Sequence, residues 1–270
     1  MPELPEVETV CRGLAPHLTG RRFESVRCFR PDLRYALPDM SALHGRSCGR
    51  VARRAKYLQF FFDDLLLIWH LGMTGKFNVI PAQTAITTHE HVRFTLSNDE
   101  CLSYRDARRF GYAGLMSSHD WEAHPWFAKL GPEPLGDAFD VDYLANCCRG
   151  RKGPIKPLLM NAHVVVGVGN IYACEALFRA GIRPSRAAGR ISGNRIRLLT
   201  DSVREVLIEA IASGGSTISD FTRVDGSPGY FSHNFAVYGR EAEPCPRCAQ
   251  PIRRVVQAGR STFFCPHCQR

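Results

Sequence analysis

Val7, Val10, Leu14 and Leu18 recur three and four apart, the spacing of one buried helix face, and predict a helix from about Glu6 to Leu18. Pro5 suits the first turn of that helix and forces Leu4, just before it, into an extended conformation. Glu6 and Glu8 stand in the same turn, where the helix dipole favours carboxylates. The period then shortens. Apolar runs over Phe23–Arg30, Tyr57–Phe62, Leu65–Leu71, Lys76–Ile80, Val92–Leu96, Cys101–Arg105 and Tyr112–Met116 are strand-sized, with turn signals at Asp63-Asp64 and Ser97-Asn98-Asp99. Short strands so closely spaced predict a sandwich or barrel. A Trp-, Pro- and Gly-containing stretch from His119 to Pro134 reads as a linker. From about Asp140 the period is helical. One helix runs from Ile171 to Ala180 and closes at Gly181. Another carries Ile196, Leu199, Val203, Val206 and Ala210, with Ser192 as its cap and Gly214-Gly215 as its stop. Helices follow strands without interleaving, so the chain is read as α+β with segregated domains.

A length of 270 residues with 44% apolar content allows two or three domains. No apolar run approaches the ~20 residues of a membrane span, and the chain start lacks a basic segment followed by an apolar one, so a cytosolic protein is expected. The formal charge of +9 points to a polyanionic partner. Its distribution sharpens the point: six arginines and no acid lie between Ala176 and Thr200, and five arginines and no acid from Cys245 to Arg270. No basic amphipathic helix with an aromatic face speaks for a membrane instead.

Four of the eleven cysteines form two CxxC pairs, Cys245-Pro-Arg-Cys248 and Cys265-Pro-His-Cys268, sixteen residues apart. That is the spacing of a four-thiolate structural zinc site, whose intervening residues make a hairpin from Ile252–Val256 and Ser261–Phe264. A module of this size has little core and depends on one zinc ion to fold. His267 lies between ligands as a bystander. Arg260 falls on the connecting turn beside Gly259, as a phosphate contact or as an ordinary exposed turn residue.

The chain start carries a second candidate chemistry. Trimming Met1 from a Met-Pro sequence leaves Pro2 with a free secondary amine. An α-amino group titrates near ~8, so about a tenth is neutral at pH 7, far more than for a lysine. A neutral amine can attack electrophilic carbon and form an iminium, with Glu3 beside it as proton donor. The alternative is that Pro2 to Glu6 simply caps a helix. Other loops have the composition of nucleic-acid contacts. In His70-Leu71-Gly72-Met73-Thr74-Gly75, two glycines permit a tight bend and Met73 is flexible enough to wedge between bases. Tyr104 to Gly111 interleaves basic and aromatic side chains, with Phe110 and Arg108 placed to enter a base stack, or else forms a hairpin end with Asp106 paired to an arginine. Gly167-Val168-Gly169-Asn170 leads into a helix whose backbone amides suit a phosphate. His89 and His91, two apart, are expected on one strand face.

With these residues assembled, the chain resembles the bacterial formamidopyrimidine-DNA glycosylases from end to end. The resemblance rests on Pro2 to Val10, Arg53-Arg54-Ala55-Lys56-Tyr57-Leu58, His70-Leu71-Gly72-Met73, Arg108-Arg109-Phe110-Gly111, Leu130 to Leu135, Val166 to Ala173 and the four-cysteine finger with Arg260. It implies an N-terminal β-sandwich, a helix-two-turn-helix domain and a zinc finger, with boundaries at 1–118, a linker at 119–133, 134–234 and 235–270. It further implies a monomer of the bacterial cytoplasm, at the nucleoid, acting on double-stranded DNA with oxidised purines (8-oxoguanine, formamidopyrimidines) or abasic sites. Residue by residue, Pro2 becomes the Schiff-base nucleophile, Glu3 the acid that protonates the sugar ring and Lys56 the proton donor for β-elimination, while Arg260 serves δ-elimination and grips phosphate. Met73, Arg108 and Phe110 fill the gap left by the base, and His70, His89, Arg151 and Asn170 hold the backbone. Ala107 replaces the usual proline before the arginines, which leaves that loop less rigid, and Thr74 replaces a common serine.

Two other readings stay open from sequence: a non-catalytic zinc protein that binds DNA, and an endonuclease VIII relative acting on oxidised pyrimidines. The chain start and the Met73 loop favour the purine branch. The loop from Ser216 to Tyr230, with Gly226, Pro228 and Gly229, is a further candidate for the pocket of an extruded base.

Overall fold

A computed structural model describes residues 1–215 and 235–270. They divide into two compact units, Met1–Ala128 with 213–215, and Lys129–Ala212 with 235–270.

The first unit opens with helix α1, Leu4–Leu18. Glu3 is its N-cap, with extended φ/ψ, and the Glu3 N–H donates to Glu6 Oε2 at 2.8 Å, the reach-back half of a capping box. This bond corrects the expectation for Leu4, which is already helical despite the following proline; the extended residue is Glu3. The stripe of Val7, Val10, Leu14 and Leu18 is buried as its spacing requires. Each such side chain contributes on the order of 2 kcal/mol.

Eight strands follow: β1 (Phe23–Cys28), β2 (Arg50–Arg54), β3 (Tyr57–Phe62), β4 (Leu65–His70), β5 (Lys76–Pro81), β6 (Glu90–Leu96), β7 (Glu100–Arg105) and β8 (Tyr112–Ser117). They form two antiparallel sheets, ordered β1-β6-β7-β5 and β2-β3-β4-β8. The sheets share one core with α1 and face each other through Phe23 against Phe62 and Trp69 against Phe77 and Tyr104, which makes the expected sandwich. The β2 strand is an addition to the sequence reading. Its Arg-Val-Ala-Arg-Arg buries only Val51 and shows no apolar run.

In the second unit helices α2 (Val141–Cys148), α3 (Ile155–Leu159), α4 (Asn170–Arg179) and α5 (Gly193–Ala212) pack around a common core. Gly181 (φ 66°) closes α4 and Gly214 and Gly215 (φ 76° and 81°) lie just past α5, as their positions in the sequence predict. The hairpin β9 (Arg253–Gln257) and β10 (Arg260–Phe264) turns through Ala258 and Gly259, both at positive φ, the signature of a tight two-residue turn. Arg260 is therefore the first residue of β10. Phe263, Ile252 and Cys265 of this module share a cluster with Cys174 and Phe178 of α4. Among the described residues no helix is long and apolar enough to cross a membrane.

Candidate active site and nucleic-acid interface

The start of α1 is buried. Glu3 and Glu6 are 3% and 2% exposed, while Met1 extends outward. The terminal amine carried by Met1 lies below its ordinary value of about 8 because burial disfavours its charged form; Glu3 and Glu6 oppose this, and Lys56 and Arg108 add to it. Four side chains spread over a hundred positions thus act on one amine. Lys56 reaches this neighbourhood from the second position of the two-residue turn joining β2 and β3, whose flanking pair is Arg54 and Tyr57.

The loops that carry the expected wedges are locked to each other. The fully buried Asp106 carboxylate accepts from Thr74 Oγ1 at 2.5 Å, from Gly111 N–H at 2.8 Å and from Tyr104 OH at 3.2 Å. Thr74 Oγ1 in turn accepts from the Arg108 amide at 3.1 Å. Asp106 therefore organises the loop through neutral donors and is not the arginine partner that the sequence left open. A side chain at Gly72 would meet the Phe110 backbone at 2.3 Å, so only glycine permits this approach. Phe110 is 43% exposed, and the Arg108 guanidinium lies 4.8 Å from its ring centroid. Met73 stays half-buried on the opposing loop.

His70 ends β4 beside Tyr112, with ring centroids 4.8 Å apart and near-parallel planes. Its Nδ1 accepts from the Gly72 N–H at 3.0 Å, which leaves the proton of the neutral ring on Nε2. Burial first, then the charges of Lys56 and Arg34, push its pKa down to about 4. The two other histidines do not share a strand face as expected. A bulge between Glu90 and Val92 breaks the alternation. His89 is exposed at φ 65° just before β6, whereas His91 is buried with Nε2 at 2.8 Å from the Asp106 carbonyl.

In the second unit Gly167 turns the chain at φ 79° and Gly169 is the N-cap of α4, so Asn170 is its first residue. The Asn170 amide is oriented from both sides: Oδ1 accepts from Lys156 Nζ at 2.5 Å and Nδ2 donates to the Ser261 carbonyl at 2.9 Å. Lys156, 1% exposed, also donates to Thr262 Oγ1 at 2.6 Å. It joins the start of α4 to the hairpin that presents the exposed Arg260. Sequence reasoning missed Lys156, and its one signal is a lysine inside the apolar run Ile155 to Leu159. Arg151 is exposed on the loop after α2, near the basic residues Lys152 and Arg190 with which it lines a shallow depression. The proposed pocket loop from Ser216 to Tyr230 lies outside the described residues.

The sulfurs of Cys245, Cys248, Cys265 and Cys268 all lie within 4.8 Å of one another. Two of the separations are 3.9 Å (Cys245–Cys268) and 3.5 Å (Cys248–Cys265). A tetrahedron with metal–sulfur bonds near 2.3 Å has edges of about 3.8 Å, so the four thiols fit one zinc ion. Backbone N–H groups of Arg247 and Cys268 donate to the Cys245 and Cys265 sulfurs at 3.4 Å.

Family models match three consecutive parts of the chain: the formamidopyrimidine-DNA glycosylase N-terminal domain at residues 1–113, the formamidopyrimidine-DNA glycosylase H2TH domain at 130–222, and the zinc finger found in FPG and IleRS at 242–270. A formamidopyrimidine-DNA glycosylase of Thioalkalivibrio sulfidiphilus is 51% identical over the full length of both chains. The chain belongs to the formamidopyrimidine-DNA glycosylase family. Its fold is that of the family's solved structures. The MutM (FPG) protein of Thermus thermophilus is 40% identical with a TM-score of 0.89, covering 99% of this chain and 98% of that one. A Lactococcus lactis FPG variant, solved with a Fapy-dG containing DNA, is 36% identical with a TM-score of 0.93 and covers 99% of both. The four-cysteine cluster is accordingly the family's finger, which holds one structural zinc ion.

Proposed function

We propose that this chain, a DNA glycosylase and abasic-site lyase of base-excision repair, removes 8-oxoguanine and ring-opened purines from duplex DNA through the amine of Pro2. The observation that carries the reading is the shared neighbourhood of the terminal amine, Glu3, Lys56 and Arg108. With Met1 removed, the Pro2 nitrogen attacks C1′ as the damaged base departs with the bonding pair, and Glu3 gives a proton to the opening sugar ring. Loss of the C2′ proton from the iminium to solvent water then expels the 3′ phosphate, to whose departing oxygen Lys56 gives a proton. Arg260 assists departure of the 5′ phosphate. Extrusion of the base costs a few kcal/mol, which Met73, Arg108 and Phe110 offset by filling the stack. His70, His89, Arg151 and Asn170 grip phosphates, which position the duplex and carry no sequence information. The protein acts as a monomer on bacterial nucleoid DNA in the cytoplasm. The division into 1–118, 119–133, 134–234 and 235–270 belongs to the same proposal.

The test is borohydride trapping on 8-oxoguanine, ring-opened guanine, thymine glycol and abasic duplexes. An adduct with the two purine lesions that vanishes in Pro2→Gly supports the assignment. Absence of any adduct favours a non-catalytic DNA-binding protein, and preference for thymine glycol favours the oxidised-pyrimidine branch.

A further inference from the structure

Arg53, whose side chain is 10% exposed near the end of β2, donates from Nε to Glu8 Oε2 and from Nη1 to the Ala55 carbonyl, each at 2.8 Å. The two acceptors belong to different elements. Glu8 lies on α1, the helix that begins beside Pro2 and Glu3, and its other oxygen accepts from Arg12 Nε at 2.7 Å. Burial pushes the Glu8 carboxyl up, but its hydrogen bonds to Arg53 and Arg12, with their charges, push it further down, so it is ionised at neutral pH. Ala55 is the first residue of the two-residue turn whose second residue is Lys56.

That turn is conformationally expensive. Ala55 is 4% exposed and sits at φ 54°, where a tight hairpin favours glycine. An alanine stays there because its surroundings hold it. The Ala55 carbonyl and the Lys56 N–H belong to one planar peptide unit, so gripping the carbonyl fixes the direction in which Lys56 leaves the turn. A guanidinium is suited to the task, because its planar fork reaches a carboxylate and a carbonyl at once, whereas an ammonium on a flexible stem lacks that fixed geometry.

We propose that Arg53 is a positioning residue for strand cleavage: it ties the Lys56 turn to α1, so that the proton donor of the elimination step keeps its place relative to the amine that holds the sugar. The inference rests on the assignment of Lys56 to β-elimination made above. Base release draws on Pro2 and Glu3 at the head of α1 and uses the turn only through the charge of Lys56. Strand cleavage uses both. Loosening Arg53 therefore separates the two activities instead of lowering them together.

The experiment uses the full-length, zinc-loaded protein and measures three quantities: single-turnover base release from an 8-oxoguanine duplex, nicking of a preformed abasic duplex, and borohydride-trapped adduct on both. The variants are Arg53→Gln, Arg53→Lys and Glu8→Gln, with Lys56→Met as reference. Arg53→Gln is expected to lower nicking by about tenfold or more while base release and trapping stay within about threefold, since a displacement of about 1 Å is enough for losses of that size. The pH profile of nicking shifts in Arg53→Gln by more than that of trapping, which Lys56 touches only through its charge. Arg53→Lys, which keeps the charge facing Glu8, shows the same split with an unfolding midpoint near the wild type's. If Arg53→Gln does not fold, Arg53→Lys and Glu8→Gln carry the test. Parallel loss of release and nicking in the folded variants, or nicking at the wild-type rate in both Arg53 variants, overturns the proposal. Lys56→Met separates the two levels. Unimpaired nicking in that variant overturns the Lys56 assignment itself, whereas abolished nicking there beside active Arg53 variants overturns only the positioning role.

Discussion

The Lys156 ammonium donates to the Asn170 side-chain oxygen at 2.5 Å from a position that is 1% exposed. The bond decides which way the amide faces, because Nδ2 is then directed to the Ser261 carbonyl. Replacing Lys156 by methionine leaves Asn170 Oδ1 and Thr262 Oγ1 without that donor and removes a positive charge from the start of α4. A buried polar group stripped of its partner costs about 1–3 kcal/mol. At this chain length each kcal/mol lowers the midpoint by roughly 2–4 °C. Lys156→Met is therefore expected to melt several degrees early and to bind duplex DNA more weakly, with a shallower salt dependence. Thermal melting and fluorescence anisotropy across a salt series check this, and an unchanged midpoint with unchanged affinity refutes it.

Zinc removal should reach beyond the finger. Ser261 and Thr262 lie in β10, so loss of the metal that organises the hairpin also releases Asn170 and Lys156. The finger is further fastened to the end of α4 by Arg247, which donates to the carbonyls of Phe178 and Arg179, and by Gln269, which donates to that of Ile182. A thiol-modifying reagent with a chromogenic chelator is expected to release one zinc per chain and abolish DNA binding, while most helical signal persists because the α2–α5 core has its own apolar cluster. Cys265→Ser should behave alike. Tight DNA binding after stoichiometric zinc release would refute the coupling.

Features set by local spacing could be read in the sequence, and features set by distant partners could not. The α1 stripe follows from one helical period, and the four zinc ligands follow from two CxxC turns, each contained in four residues. The β2 strand was illegible because its pairing with β3, and not an apolar pattern, makes it a strand. Asp106 looked like an arginine partner since three arginines lie within three residues of it, yet its carboxylate is claimed by Thr74, 32 positions away. Lys156 is the extreme case: a buried cation is tolerated only because a threonine 106 positions along the chain and an asparagine face it. His89 and His91 were misread for a subtler reason, a bulge that alters register without leaving a mark in composition.

The Ala107 position invites a stabilising change. It is exposed, its N–H has no partner among the described residues, and its φ is not positive, while the loop around it is held by Asp106 and Thr74. The family resemblance places proline there. Proline at a compatible site stabilises by about 0.4–1 kcal/mol through the unfolded chain, so Ala107→Pro is expected to raise the midpoint by roughly 1–4 °C. The Asp106 anchors already fix the loop, so base release should change little. A lowered midpoint would show that the backbone at Asp106 and Ala107 is incompatible with a proline ring.

The amine of Pro2 should titrate below an ordinary chain terminus. In the structure the amine belongs to Met1, and burial depresses it more than Glu3 and Glu6 raise it, with Lys56 and Arg108 adding to the depression. After Met1 is removed, the Pro2 amine stands one residue closer to the buried Glu3 and is expected to meet the same set of charges. A depressed pKa means that the neutral, nucleophilic form persists to lower pH. The rate of borohydride trapping on abasic DNA is therefore expected to rise with pH along a limb whose midpoint lies below ~8, and to level off above it. The sign can be probed from both sides. Lys56→Met removes a cation that disfavours the charged amine, so the limb moves to higher pH; Glu6→Gln removes an anion that favours it, so the limb moves to lower pH. Mass spectrometry of the trapped peptide fixes the attachment point. A limb at or above the ordinary value, or two variants that shift it the same way, would mean that these charges do not act on the attacking nitrogen.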